Sequence, residues 1–261
     1  MHRRLFGRIP GQISGRISFA LIACLLLFWP SARSRAETAC VSPTQLAHAG
    51  LRITRYFDEA ERAAQAGLAG IQGSGWFLTP TTIVTVAHVV TAMNLTTLDW
   101  KRIEIGDGDD SRSALARIQR LAGRGADKLV VLELQTSVAA ARSLAVRVRP
   151  LAPDERVVTL GYPDGHLRVV SGRFVHSGDD SGLAGRALLE MYDGDDRLAV
   201  DHGASGAPVF DCDGHVAAVV TDVVTQTMVL AGREMRLSTA WGTPNVVSVP
   251  IQALQEPAPA D

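Results

Sequence analysis

From residue 51 onward, short runs rich in Val, Ile, Leu and Thr recur between turns built from Gly, Asp and Pro, and this punctuation constrains the fold more than any other feature. Helical heptads and repeats of fixed period are both lacking. Runs this short bury their apolar residues by pairing into sheets. Residues 51–57, 68–78, 82–86, 102–105, 114–121 and 128–134 form a first set of six, with Thr79-Pro80-Thr81 turning one hairpin. Residues 58–67 read as a polar, Ala-rich excursion within it, and Ser42-Pro43-Thr44 as a helix or turn entry. After an Ala/Arg-rich bridge over 135–153, a second set follows at 157–160, 167–175, 187–192, 208–211, 216–224 and 246–249. This spacing predicts an all-β protein of two six-stranded antiparallel β-barrels, about 100 residues each, over 37–140 and 141–261.

Residues 1–36 stand apart from that globule. Arg3, Arg4, Arg8 and Arg16 precede an apolar run of 11 residues, Phe19 to Trp29, and Ser34-Arg35-Ala36 offers a small-residue cleavage site. The run is far short of the roughly 20 residues a membrane-spanning helix needs. The expected outcome is an exported chain, periplasmic or secreted, cut near Ala36. Leu21-Ile22-Ala23-Cys24 also suits lipid attachment at Cys24, but the apolar run continues past the cysteine as Leu25 to Trp29, which favours Cys24 as part of the signal. Removing residues 1–36 takes away six arginines and no acids, leaving 20 basic and 27 acidic side chains and a net charge of −7. That balance argues against a nucleic-acid partner. Cys40 and Cys212 are then the remaining cysteines, and in an oxidising compartment they are expected to pair.

The chemistry concentrates in His202-Gly203-Ala204-Ser205-Gly206-Ala207-Pro208, where small residues crowd around one serine. Glycine on both near flanks frees the backbone and leaves room for another molecule. Such a loop can aim the Gly203 and Ser205 N–H groups at one oxyanion. A serine hydroxyl is a weak nucleophile alone and needs a histidine base and an orienting carboxylate. His88 follows the β-branched run Thr82 to Val86, and Asp127 precedes the apolar run Lys128 to Leu134. Each alone has a bland reading, as a packed histidine and a turn aspartate.

Taken in order, Thr85-Val86-Ala87-His88, Asp127-Lys128-Leu129-Val130-Val131 and Gly203-Ala204-Ser205-Gly206-Ala207-Pro208 resemble the trypsin-like serine peptidases. In that superfamily the three stretches read T-A-A-H, D-I-A-L-L and G-D-S-G-G-P. Gly73-Ser74-Gly75-Trp76-Phe77, residues 157–163 and residues 245–251 fit the same picture, so the resemblance covers most of 50–252. It is nearest to compact bacterial members of the high-temperature-requirement type, without their C-terminal peptide-binding domain. The resemblance implies chymotrypsin-like barrels with the active site between them, a His88/Asp127/Ser205 triad, an oxyanion hole at Gly203 and Ser205, a peptide or protein substrate, and no cofactor or metal. It also implies a specificity pocket near Ala199, Ala218, Val220 and Val247, with Ala199 where trypsin keeps its acidic determinant, so small or aliphatic side chains are expected there. Two departures stand out. Ala204 replaces the aspartate that pairs with a new N-terminus in trypsins, and Ala207 replaces the second glycine after the serine.

An esterase of the α/β-hydrolase fold requires the order Ser, acid, His, and His215, the one histidine after Ser205, lies inside an apolar run. A protease-like module that binds peptides without cutting them is the stronger alternative, since fold alone does not dictate activity. His166, His176, His202 and His215 show no metal-ligand spacing, and the acidic runs 107–110, 179–180 and 193–196 lack the pattern of a calcium loop. The sequon Asn94-Leu95-Thr96 receives no role.

Overall fold

The computed structural model describes residues 40–46, 48–107, 110–123, 128–139, 141–179, 183–192, 203–223, 226–230, 233–237 and 243–256. The export segment 1–36, with Cys24 and the cleavage point at Ala36, lies outside the described residues, as do Asp127, Ala199 and His202. Among the described residues no helix is long and apolar enough to cross a membrane.

The chain enters through a one-turn helix, α1 (Pro43–Leu46), and then forms β1 (Leu51–Tyr56), α2 (Glu59–Ala64), β2 (Gly70–Thr79), β3 (Thr82–Val86), α3 (Ala87–Ala92), β4 (Lys101–Gly106), β5 (Ser111–Ala122) and β6 (Leu129–Leu134). These six strands close into an antiparallel barrel in the order β1-β2-β3-β6-β5-β4. The second barrel takes β7 (Arg156–Gly161), β8 (Arg168–Ser177), β9 (Ala187–Tyr192), β10 (Pro208–Phe210), β11 (Val216–Val223) and, after the separate hairpin of β12 (Gln226–Leu230) and β13 (Arg233–Leu237), β14 (Val246–Pro250). Its order is β10-β11-β14-β9-β8-β7. Two closed six-stranded barrels were expected, and they are present. Register shifts at residues 77–79, 118–120, 174–176, 209–210 and 220–222 supply the bulges that bend strands into barrels.

Period-two alternation explains where the apolar residues go. Val157, Val209, Ala218, Val220 and Val246 fill the second barrel together with Phe174, Leu189 and Met191. Their neighbours Val158, Phe210, Val219 and Val249 face the other way and join the core of the first barrel, built on Ile53, Trp76, Val84, Leu129 and Leu132. β7, β10, β11 and β14 are thus buried on both faces, which is why they read as unbroken apolar runs. The 3-10 turn Ile251–Gln255 then brings the chain back to the first barrel, where Ile251 and Ala253 join its core and Arg120 Nη1 donates to Leu254 O at 3.1 Å.

Two helices, α2 and α3, occupy stretches to which the sequence reading assigns no helix. Asp58 caps α2 by accepting from Glu61 N–H at 2.8 Å, while the Glu61 carboxylate accepts from Asp58 N–H at 3.2 Å, a reciprocal capping box. In α3, Val89 and Val90 anchor one turn against the first core. Cys40 and Cys212 are disulfide-bonded, with Cα atoms 4.0 Å apart, and Val41 N–H donates to Cys212 O at 3.0 Å, so the start of the described chain is fastened to the turn after β10.

Candidate active site

Ser205 sits in a tight turn whose bond runs from Ala207 N–H to Ala204 O at 2.9 Å. The third turn residue, Gly206, has φ +93°, a conformation that a side chain resists. A Cβ there would lie 2.0 Å from Ser74 O and 2.4 Å from Thr85 Oγ1, so glycine is required by space as well as by angle. Exchange with β11, Gly206 N–H to Val220 O at 2.8 Å and Val220 N–H to Ala207 O at 2.9 Å, ties the turn to the second barrel. Ala204 and Ala207 are 3% and 1% exposed, and their methyls join the second barrel's core beside Gly161. The two departures from the trypsin pattern therefore point inward, away from the solvent side of the loop.

The serine hydroxyl donates to Thr221 O at 3.2 Å. Thr221 is the extra residue of the β11 bulge: Val220 faces Ser248 and Asp222 faces Val247, with Thr221 unpaired between them. Its own hydroxyl donates to Val247 O at 3.1 Å, which fixes the bulged carbonyl beneath Ser205. Neither Gly203 N–H nor Ser205 N–H donates to a described residue, so both expected oxyanion donors are uncommitted among the described residues.

His88 is the second residue of α3 and is exposed to solvent. It is placed by what flanks it. Ala87 N–H donates to Lys128 O at 2.9 Å, continuing the β3–β6 ladder one residue beyond Val86 and Leu129. His88 is the next residue after Ala87, in the first turn of α3. On the other side, Gly73 of β2 lies where a Cβ would be 2.6 Å from Val89 Cγ1 and 3.5 Å from Ser205 O, so α3 and the serine turn meet over one glycine. The structure thus brings the His88 segment to the Ser205 turn and to the strand that follows Asp127; Asp127 itself is among the residues not described.

Three of the four expected pocket residues are described. Ala218 and Val220 are enclosed by the second barrel's core at 0% and 1% exposure, Val247 is buried on β14, and Ala199 is outside the described residues. Asn245, the first residue of the stretch 245–251 that carries part of the resemblance, is fully buried and exchanges two amide bonds with the Met191 backbone, 2.8 Å and 2.7 Å, at the end of β9. Tyr162, also buried, has its hydroxyl pushed up to about 12 by burial, with Asp107 adding to the shift and Arg52 opposing it. Ligand atoms of Asp211, Asp213 and His215 come within 4.8 Å of one another. That carboxylate is already engaged: Asp211 Oδ1 accepts from the Asp213 and His215 N–H groups, and Oδ2 pairs with Arg147 at 3.2 Å.

The site residues missing from the sequence reading are those that hold the loop: Gln72, Ser74, Thr85, Tyr162 and Thr221. Gly73-Ser74-Gly75 was conspicuous, but nothing in the chain before folding shows that Ser74 meets residues 162, 203 and 205.

The sequence model of the family described as trypsin-like peptidase domain matches residues 73–219, more than half of the chain. No curated protein matches the sequence. Among solved structures, the active form of the Rv3671c protease from M. tuberculosis is similar with a TM-score of 0.52 at 15% identity, covering 100% of this chain and 97% of that one. An HtrA-type protease, AlgW with a tripeptide, gives 0.52 at 16% identity over 79% of this chain and 57% of that one. Deg5 gives 0.51 at 16% identity over 80% and 86%. At such identities the likeness shows the shared double-barrel fold, and the assignment rests on the family match spanning the histidine strand, the aspartate segment and the serine turn: this chain belongs to the trypsin-like peptidases.

Proposed function

We propose that the protein is an exported serine endopeptidase in which Ser205 is the nucleophile, His88 the general base and Asp127 the carboxylate that orients it. The observation that carries this reading is the meeting of three segments at one place: the Ser205 turn, the first turn of α3 bearing His88, and the β6 entrance, where Ala87 N–H is bound to Lys128 O. In the reaction, Ser205 Oγ attacks the peptide carbonyl carbon as its proton passes to His88, and the oxyanion is received by the N–H groups of Gly203 and Ser205. His88 then returns the proton to the leaving amine as the C–N bond breaks and an acyl-enzyme remains. Water, deprotonated by His88, releases the acid. The Asp127 carboxylate holds the His88 tautomer that presents a free ring nitrogen to Ser205. These steps require no cofactor. The first-site pocket, drawn from the region of Ala199, Ala218, Val220 and Val247, takes small or aliphatic side chains, and the disulfide suits a protein working outside the cytoplasm.

The binding-only alternative has one observation in its favour: the Ser205 hydroxyl is donated to Thr221 O, so attack requires that bond to be exchanged for one to His88. The purified protein lacking residues 1–36 should cleave an unfolded protein substrate, and Ser205→Ala, His88→Ala and Asp127→Asn should each lower the rate by roughly 10⁴-fold. Saturable binding of the same substrate with no cleavage would establish the alternative.

A further inference from the structure

We propose that Ser74, on the first barrel, is the positioning residue that holds the second barrel's oxyanion loop in its working conformation. The inference rests on the serine-peptidase reading above and adds to it a residue that touches no substrate.

Ser74 is fully buried, and every polar atom it has is used. Its Oγ accepts from Tyr162 N–H at 3.1 Å and donates its single proton to Gly203 O at 2.7 Å. Its N–H donates to Ser205 O at 2.8 Å, and its carbonyl accepts from the Thr85 hydroxyl at 2.8 Å. Gln72 lies two residues earlier on β2, hence on the same face, and donates to Tyr162 O at 3.0 Å. Tyr162 is therefore gripped from the first barrel through both its N–H and its carbonyl.

The consequence lies in which carbonyls are held. Ser74 binds those of Gly203 and Ser205, one on each side of the nucleophile, and the stretch between them carries the Ser205 N–H. Gly203 is the freest link in the loop because it has no side chain, and it sits at φ +97°, where a Cβ would be 2.6 Å from Tyr162 O. With its carbonyl bound to the Ser74 hydroxyl, rotation of the Gly203–Ala204 peptide would break a buried hydrogen bond, so the chain that leads into the Ser205 N–H is held on its N-terminal side as well. Accepting from Tyr162 leaves Ser74 one way to point its proton, toward Gly203 O. An oxyanion hole works through donors that are aimed before the charge develops, and here the aim is set by a hydroxyl from the other barrel.

The test is the rate of covalent inactivation by a fluorophosphonate, resolved into the maximal rate constant and the half-saturating concentration, for wild type, Ser74→Ala, Ser74→Cys and Ser74→Thr. Each is assayed well below its own unfolding midpoint. Ser74→Ala should lower the maximal rate constant roughly 10- to 100-fold with the half-saturating concentration unchanged. Ser74→Thr, which keeps the hydroxyl, should restore it, and Ser74→Cys, a weak donor of similar size, should fall between and serves if the alanine variant does not fold. A Ser74→Ala or Ser74→Cys protein with the wild-type rate constant and only a lower unfolding midpoint would overturn the proposal while leaving the peptidase reading intact. A folded wild type that does not react at all would overturn both.

Discussion

At the residue scale, one glycine shows how tightly the serine turn is specified. Gly206 combines a positive φ with a Cβ position 2.0 Å from Ser74 O and 2.4 Å from Thr85 Oγ1, so Gly206→Ala must move either the turn or β2. We expect a stability loss of about 3 kcal/mol or more, from backbone strain and overpacking together, read as a lower unfolding midpoint in urea. Activity should fall further than stability, since the displaced atoms are Ser205 and its neighbours. Much of this was legible before folding: Gly203, Ser205 and Gly206 stand out as a turn that needs small residues. The orientation of Ala204 and Ala207 was not, because a methyl beside a nucleophile looks obstructive in a string of letters. In three dimensions both methyls pack inward against the position of Gly161.

Among the elements, α2 is the instructive miss. Residues 58–67 carry no apolar stripe, so they read from sequence only as a polar, Ala-rich excursion, yet Asp58 and Glu61 are spaced as a capping box and α2 buries none of its own residues. Its purpose is to bring Glu61 to Arg55, a guanidinium 5% exposed on β1 and stacked over Phe57 at 5.1 Å. The hydrogen bond from Arg55 holds the Glu61 carboxyl below its usual 4.5, with burial working in the opposite direction. A lowered folded-state pKa means that the contribution is complete above pH 4.5 and lost as pH falls through the lowered value. Asp58→Ala should cost about 1 kcal/mol in thermal or urea unfolding at neutral pH. Glu61→Gln should flatten the acid limb of the stability profile relative to wild type. The strands were easier to read, since β-branched runs between Gly/Asp turns left little alternative. The sequence reading assigns no element between residues 224 and 246, where β12 and β13 pair with each other from Gln226 opposite Leu237 to Leu230 opposite Arg233.

For the whole molecule, the two barrels share an apolar seam, and beside it Ser205 is half-buried and His88 exposed. The first barrel supplies His88 and the Ser74 clamp, and the second supplies the turn that the clamp holds. Sequence order alone could not show this division, because residues 74 and 203 are linked through a seam that exists only once both barrels have closed. The disulfide acts at the same scale: Cys40 and Cys212 are 172 positions apart, and the chain-entropy model assigns so long a loop about 5 kcal/mol as an upper figure. Reduction, or Cys212→Ser, should lower the unfolding midpoint by several degrees or more while the serine turn keeps its own hydrogen bonds. The central claim concerns Ser205, and covalent capture reports on it most directly. A fluorophosphonate should form an Oγ–P bond with loss of fluoride, adding a single adduct to the intact mass, and peptide mapping should place it on Ser205. Ser205→Ala should carry no adduct and His88→Ala should be labelled far more slowly. A folded wild type that stays unlabelled, or that carries its adduct on another residue, would contradict the account.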